Sequence, residues 1–163
     1  YGKKFVIIGN KNALTYKEIF PLIQNNQMWT GYRGFSGGMW FFTDEIVETT
    51  KVVDGKRLAN VPSIWFTNLE ITKRHEEITL YKRINPKEYL KYDNYEAINV
   101  DSTSDIPCDY DGTIGVPITF LDKYNPDQFE IIKFRKGNDE KDLAVNGKCP
   151  YFRVLIKNRK VQK

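Results

Sequence analysis

The run Phe5-Val6-Ile7-Ile8, entered from Lys3-Lys4 and left at Gly9-Asn10, is apolar at every position. Side chains on a strand alternate between two faces, so an unbroken apolar run predicts a strand buried on both, the habit of parallel sheets. Thr15-Tyr16-Lys17-Glu18 then has capping-box order, Thr at the N-cap and Glu at N3, and Ile19, Leu22 and Ile23 recur at helical spacing. Pro21 falls inside this helix and is expected to bend or shorten it. Asn25-Asn26-Gln27 closes the helix, and Met28-Trp29-Thr30-Gly31-Tyr32 predicts a second strand. The result is a β–α–β unit with a right-handed crossover.

A segment rich in glycine and aromatics follows, Gly31-Tyr32-Arg33-Gly34-Phe35-Ser36-Gly37-Gly38-Met39-Trp40-Phe41-Phe42, without the order of a dinucleotide-binding fingerprint. Residues 43–60 read as a polar excursion, and Val61-Pro62-Ser63-Ile64-Trp65-Phe66-Thr67-Asn68-Leu69 as another strand. Three or four strands with one helix make half of a doubly wound sheet, whose edge and helix face still need covering. From Glu70 the pattern changes. A short strand is expected at Ile78-Thr79-Leu80-Tyr81, periodicity then weakens, residues 114–121 around Pro117 fit an edge strand or a loop, and residues 121–124 a helical turn. Residues 130–134 and 151–156 predict strands, with Lys136-Gly137-Asn138-Asp139 as turn chemistry between them.

Composition adds bounds. The 163 residues are 40% hydrophobic and 14% aromatic, enough for one domain or one and a fraction, and no apolar run reaches the roughly 20 residues of a membrane helix. Cys108 and Cys149 have neither metal-ligand spacing nor the number for a disulfide framework, which points to a reducing cytoplasm. The lone His75 excludes a multi-histidine metal site and sits apart from any nucleophile elbow. Asp109-Tyr110-Asp111-Gly112 lacks EF-hand order, and Asp139-Glu140-Lys141 falls in a turn rather than on the strand a metal-dependent nuclease needs, so no metal is expected. The chain opens on Tyr1 rather than Met and enters a strand directly, the expectation for a piece of something longer.

The net charge of +4 is unevenly spread: residues 1–60 carry eight basic and five acidic groups, 61–132 seven and thirteen, and 133–163 ten and three. A basic tail is a footprint for a polyanion. The stretch 93–130, with nine carboxylates and the single basic Lys123, is expected to turn from any polyanion and pack on basic surface of the same protein.

Several strings together identify a family resemblance: Lys4-Phe5-Val6-Ile7-Ile8-Gly9-Asn10, Thr15-Tyr16-Lys17-Glu18-Ile19-Phe20, Trp65-Phe66-Thr67-Asn68-Leu69, Lys73-Arg74-His75-Glu76, Tyr92-Asp93-Asn94-Tyr95-Glu96-Ala97-Ile98-Asn99-Val100, and the segment from Ile106-Pro107-Cys108 to Phe129-Glu130. Across essentially the whole chain they resemble the EcoRI-like adenine-specific DNA methyltransferases of restriction–modification systems. The resemblance implies an α/β fold, with residues 1–72 as the C-terminal strands and helix of a Rossmann-like S-adenosylmethionine methyltransferase sheet and 73–163 as an irregular α+β target-recognition region. It also implies that the catalytic Asn-Pro-Pro-Phe motif and the S-adenosylmethionine loop lie upstream of Tyr1, since Asn85-Pro86 and Asn125-Pro126 lack the second proline and the aromatic.

On this reading Phe35 and Trp40 line the pocket of an extruded adenine, and Arg33, Lys73, Arg74, Lys136 and Arg153 contact double-stranded DNA. The chain alone would not methylate. Its partners would be DNA and the N-terminal catalytic part of the same enzyme, with self-association through the open sheet edge. The rival is a non-enzymatic DNA-binding or specificity module.

Overall fold

The computed structural model describes residues 2–35, 37–48 and 50–163; Tyr1, Ser36 and Thr49 lie outside the described residues. Two units emerge, Tyr1–Ile71 and Thr72–Lys163. Taken together they are mixed α/β with few helices: among the described residues the first unit has two three-stranded sheets and one α-helix, and the second has one four-stranded sheet with short 3-10 helices.

In the first unit, β1 (Val6–Asn10), α1 (Phe20–Gln24) and β2 (Trp29–Thr30) are followed by β3 (Met39–Phe42), β4 (Thr50–Val53), β5 (Lys56–Val61) and β6 (Ser63–Thr67). The last strand is the middle of the first sheet, order β1-β6-β2, and pairs antiparallel with both neighbours. β1 and β2 therefore run parallel to each other with β6 between them. The expected burial of β1 on both faces does not occur: Val6 is 52% exposed, Ile7 53% and Ile8 44%. Consecutive residues point to opposite faces, so both faces of this edge strand are uncovered. Among the described residues the buried hydrophobic side chains of the unit are Leu14, Phe20, Ile23, Met28, Met39, Ile64 and Phe66.

The helix starts later than its capping box suggests. Residues Lys11–Thr15 form a 3-10 turn in which Thr15 Oγ1 donates to the Asn12 carbonyl at 2.8 Å instead of capping an α-helix. Pro21 lies in the first turn of α1, where its missing N–H leaves no bond unmade, so it begins the helix rather than bending it. The polar excursion is a hairpin. Val53-Asp54-Gly55-Lys56 turns with positive φ at both central residues, 50° at Asp54 and 74° at Gly55, and joins β4 to β5 in the antiparallel sheet β3-β5-β4. Asp-Gly between strands is the sequence signature of such a turn.

The second unit holds β7 (Ile98–Asn99), β8 (Thr113–Pro117), β9 (Phe129–Phe134) and β10 (Arg153–Asn158) in the order β7-β8-β10-β9. β8 is interior, not an edge or a loop, and a 3-10 helix over Ile118–Lys123 follows Pro117. Val154, Leu155 and Ile156 in succession are fully buried, so this sheet is covered on both faces. Tyr92, Ala97 and Leu143 cluster with Leu155, and Phe120 meets Phe129 edge to face at 5.2 Å. The strand expected at residues 78–81 is absent. Gln128 stands in for a strand partner, its amide accepting from Ile78 N at 2.8 Å and donating to Ile78 O at 2.7 Å.

Gly115 is fixed by packing. A Cβ there would fall 2.0 Å from the Tyr92 hydroxyl, which donates to Asn99 Oδ1 at 2.8 Å. Gly115→Ala is expected to lower unfolding stability by about 1–3 kcal/mol, the usual cost of overpacking, read by urea denaturation.

Burial holds the Tyr92 phenol well above its ordinary 10.0, with the nearby Arg153 charge opposing in part. Between the two values the unfolded chain has lost a proton that the folded chain keeps, so the contribution is full below pH 10 and stability falls as pH rises beyond it. Burial raises Tyr89 and Tyr110 in the same direction. Tyr92→Phe should flatten the alkaline decline in urea titrations; an unchanged decline would contradict this assignment.

Candidate nucleic-acid interface

The candidate side chains fall in both units. In the first, β3 carries Trp40 and Phe42 on one face, and its register with β5 and of β5 with β4 adds Leu58, Lys51, Lys56 and Val53 to that face. Lys51 Nζ lies 4.1 Å from the Trp40 ring centroid and Lys56 Nζ 5.5 Å from that of Phe42. Phe42 is 71% exposed. A cationic and aromatic surface of this kind suits a nucleic acid, which offers phosphates and base faces together. Lys51 and Lys56 lie in a hairpin that composition alone marks as a polar excursion; Asp54-Gly55 is the sequence signal that locates them.

Phe35 is half-buried and Arg33 exposed. Arg33 also rims an open apolar groove of about 390 Å³, lined by Val6, Gly31, Tyr32, Trp65, Thr67, Leu69 and Ile71. S-adenosylmethionine carries ribose hydroxyls, an ammonium and a carboxylate, and needs acceptors as well as donors. The groove has no carboxylate in its lining. Its polar side chains are those of Tyr32, Arg33 and Thr67, so it supplies no acidic partner for the ammonium. Among the described residues no group of three or more His, Cys, Asp or Glu is arranged to hold a metal ion.

In the second unit the acidic stretch folds onto basic side chains of its own chain. Seven of its nine carboxylates are ion-paired: Glu96 with Lys91, Asp101 with Arg153, Asp105 with Lys82, Asp109 with Arg83, Asp122 with Lys73, Asp127 with His75 and Glu130 with Arg159. An eighth, Asp93, accepts from the backbone N–H groups of Asn146 and Gly147 at 3.1 and 2.7 Å. The His75 contact, 2.7 Å from Nδ1 to the carboxylate, holds Asp127 below the usual carboxylate range.

These pairs decide how accessible each selected cation is. Lys73 is half-buried and 2.8 Å from Asp122, and Arg74 is also half-buried. Lys136 is exposed, 3.0 Å from Glu140, and that hydrogen bond lowers the Glu140 carboxyl. Exposed pairs are weak, so a phosphate can displace Glu140 at little cost. Arg153 is different. Its guanidinium lies inside the unit, donating to Asn99 Oδ1 at 3.1 Å, Asp101 Oδ1 at 2.7 Å and the Tyr151 carbonyl at 2.7 Å. It organises the loop before β10 instead of meeting solvent. Asn125, in the partial Asn-Pro likeness, is 1% exposed and accepts from Asp127 N, a turn-capping position.

No helix among the described residues is long and apolar enough to cross a membrane. Comparison with known proteins adds the family. The model of the family described as adenine-specific methyltransferase EcoRI matches residues 1–159. The type II methyltransferase M.EcoRI of Escherichia coli is 53% identical over 171 residues, covering 100% of this chain and 52% of its own length. M.MpnI of Mycoplasma pneumoniae is 32% identical, covering 98% of the chain and 58% of its own length, and M.MgeORF184P of Mycoplasma genitalium 32%, covering 99% and 59%. No solved structure matches the chain. The chain thus spans between half and three-fifths of the length of these relatives. With half the chain identical to one relative from end to end and the family model matched almost throughout, this chain belongs to the EcoRI family of adenine-specific methyltransferases.

Proposed function

We propose that this chain is the C-terminal part of a site-specific DNA adenine-N6 methyltransferase, the S-adenosylmethionine-dependent modification enzyme of a restriction–modification system, and that it contributes DNA recognition. The observation that carries the reading is the 53% identity to a type II methyltransferase over the entire chain. The open β1 supports the second half of it. A strand with Val6, Ile7 and Ile8 exposed on both faces, at the edge of its sheet, suits a chain whose neighbouring strand and covering helices lie in another segment. In this proposal β1-β6-β2 is the end of a larger Rossmann-like sheet, and the catalytic part of the same enzyme covers β1. The isolated chain would self-associate through that edge.

Methylating adenine N6 requires the base to leave the duplex, at a cost of a few kcal/mol that contacts to the base and backbone must offset. Trp40 and Phe35 would line the base pocket. Arg33 and Lys136, both exposed, would meet phosphates most directly, while Lys73 and Arg74 would contribute from half-buried positions. Arg153 would act by holding the Tyr151 backbone rather than by touching DNA. S-adenosylmethionine would be the methyl donor, bound by the upstream part. The bulk of the second unit's carboxylates, paired within the unit, would leave its basic groups at 133–163 to dominate the field that DNA meets.

The test is methyl transfer to duplex DNA from labelled S-adenosylmethionine. The full-length protein should label adenine N6 and this chain alone should not. Turnover by the chain alone would overturn its reading as a partial enzyme, and absence of turnover in the full-length protein would overturn the function.

A further inference from the structure

We propose that the ring of Tyr151 is a stacking platform for a nucleobase, held out from the second unit by a rigid aromatic and cationic stack; this rests on the reading of the chain as part of a DNA methyltransferase. Tyr151 is 74% exposed, yet it is not a loose surface side chain. Its ring centroid is 4.3 Å from that of Phe152, with the planes 35° apart. The Arg135 guanidinium also lies over the Phe152 ring, 4.3 Å from its centroid, and is ion-paired with Asp142. Phe134, at the end of β9, supports Phe152 from a centroid distance of 6.2 Å.

The backbone beneath the stack is tied down as firmly. Tyr151 O accepts from the buried Arg153 guanidinium, itself held by Asp101 and Asn99. Phe152 O accepts from Ile118 N, and Arg153 O from Arg135 N, both at 3.0 Å. Arg153 gives one hydrogen bond to the Tyr151 carbonyl and is anchored by the other two, to Asn99 and Asp101. Leaving a large ring in water while bracing it from behind makes physical sense when a flat partner is to cover it, because a pre-ordered ring loses little entropy on binding.

Charge selects the partner. The platform lies in the segment 133–163, which carries ten basic and three acidic groups, and a flat polyanionic ligand suits it. Every base has a π-face, so stacking on Tyr151 does not depend on sequence. In an intact duplex that face is already covered. It is uncovered where a base has been extruded or its neighbours unstacked, which the proposed chemistry requires. Tyr151 would then take up the face that extrusion exposes and help offset its cost.

The experiment compares the full-length protein with its Tyr151→Ala, Tyr151→Phe and Tyr151→Trp variants, measuring affinity for a short duplex that carries a mismatched, unstacked base over a range of salt, with melting temperature in parallel. Tyr151→Ala is expected to bind roughly five- to a hundredfold more weakly, the range that stacking one base on an aromatic ring supplies, with the salt dependence unchanged because no phosphate contact is lost. The Phe and Trp variants should bind close to wild type. Binding by Tyr151→Ala equal to that of a DNA-binding wild type would overturn the platform and leave the proposed function standing. A loss that tracks a lower melting temperature and is not rescued by Trp would also overturn it. If the wild type itself fails to bind DNA, the proposed function falls first.

Discussion

The edge of β1 is the constraint on which the account of the first unit rests. A strand satisfies half of its backbone groups through each neighbour, and among the described residues β1 pairs with β6 alone. Its side chains offer no compensation. Edge strands are ordinarily blunted with charge or proline, whereas this one presents Val6, Ile7 and Ile8 in a row. The apolar groove beside it, rimmed by Tyr32 and Arg33, continues the same uncovered face through Trp65 and Leu69. Both features are what a sheet looks like when part of its cover is supplied from elsewhere, and relatives nearly twice as long give that cover a source in the proposed reading.

The second unit solves the opposite problem. Its sheet is covered on both faces, and its difficulty is a sequence with nine carboxylates between residues 93 and 130. The fold answers by interleaving: seven meet basic side chains of the same unit, several from segments far away in sequence, such as Asp122 with Lys73 and Asp101 with Arg153. Individually the exposed pairs add little stability. Their larger effect is to fix which cations stay available, and Arg153 is the limiting case, since a cation from the basic tail is withdrawn into the interior to order the chain at Tyr151.

Much of this was legible from the chain, and the failures have physical causes. The family follows from long strings such as residues 92–100, and the strands at 5–8, 61–69 and 130–134 from apolar content and length. Strand direction does not. An unbroken apolar run reads as a doubly buried parallel strand, but here the same run forms an antiparallel edge strand exposed on both faces, and periodicity alone does not separate the two. The β4–β5 hairpin was missed although Asp54-Gly55 marks it, because its strands, rich in Lys and Val, alternate too weakly to outweigh a polar composition. At residues 78–81 the apolar pattern was present but the pairing was taken over by the Gln128 side chain, a substitution invisible to pattern. Arg153 illustrates the limit for charge: whether an arginine faces solvent or the interior is decided by Asp101 and Asn99, some fifty residues earlier. The candidate site was thus readable as a composition of cations and aromatics, and the division of labour among them was not.

The claim that joins these observations is that β1 is an interior strand of a larger sheet. Amide hydrogen exchange at Val6–Asn10 addresses it most directly, compared between this chain alone and the full-length protein. The account predicts that the amides of β1 pointing away from β6 exchange rapidly in the isolated chain and are strongly protected in the full-length protein. Equal, rapid exchange in both would contradict it and leave β1 a true edge.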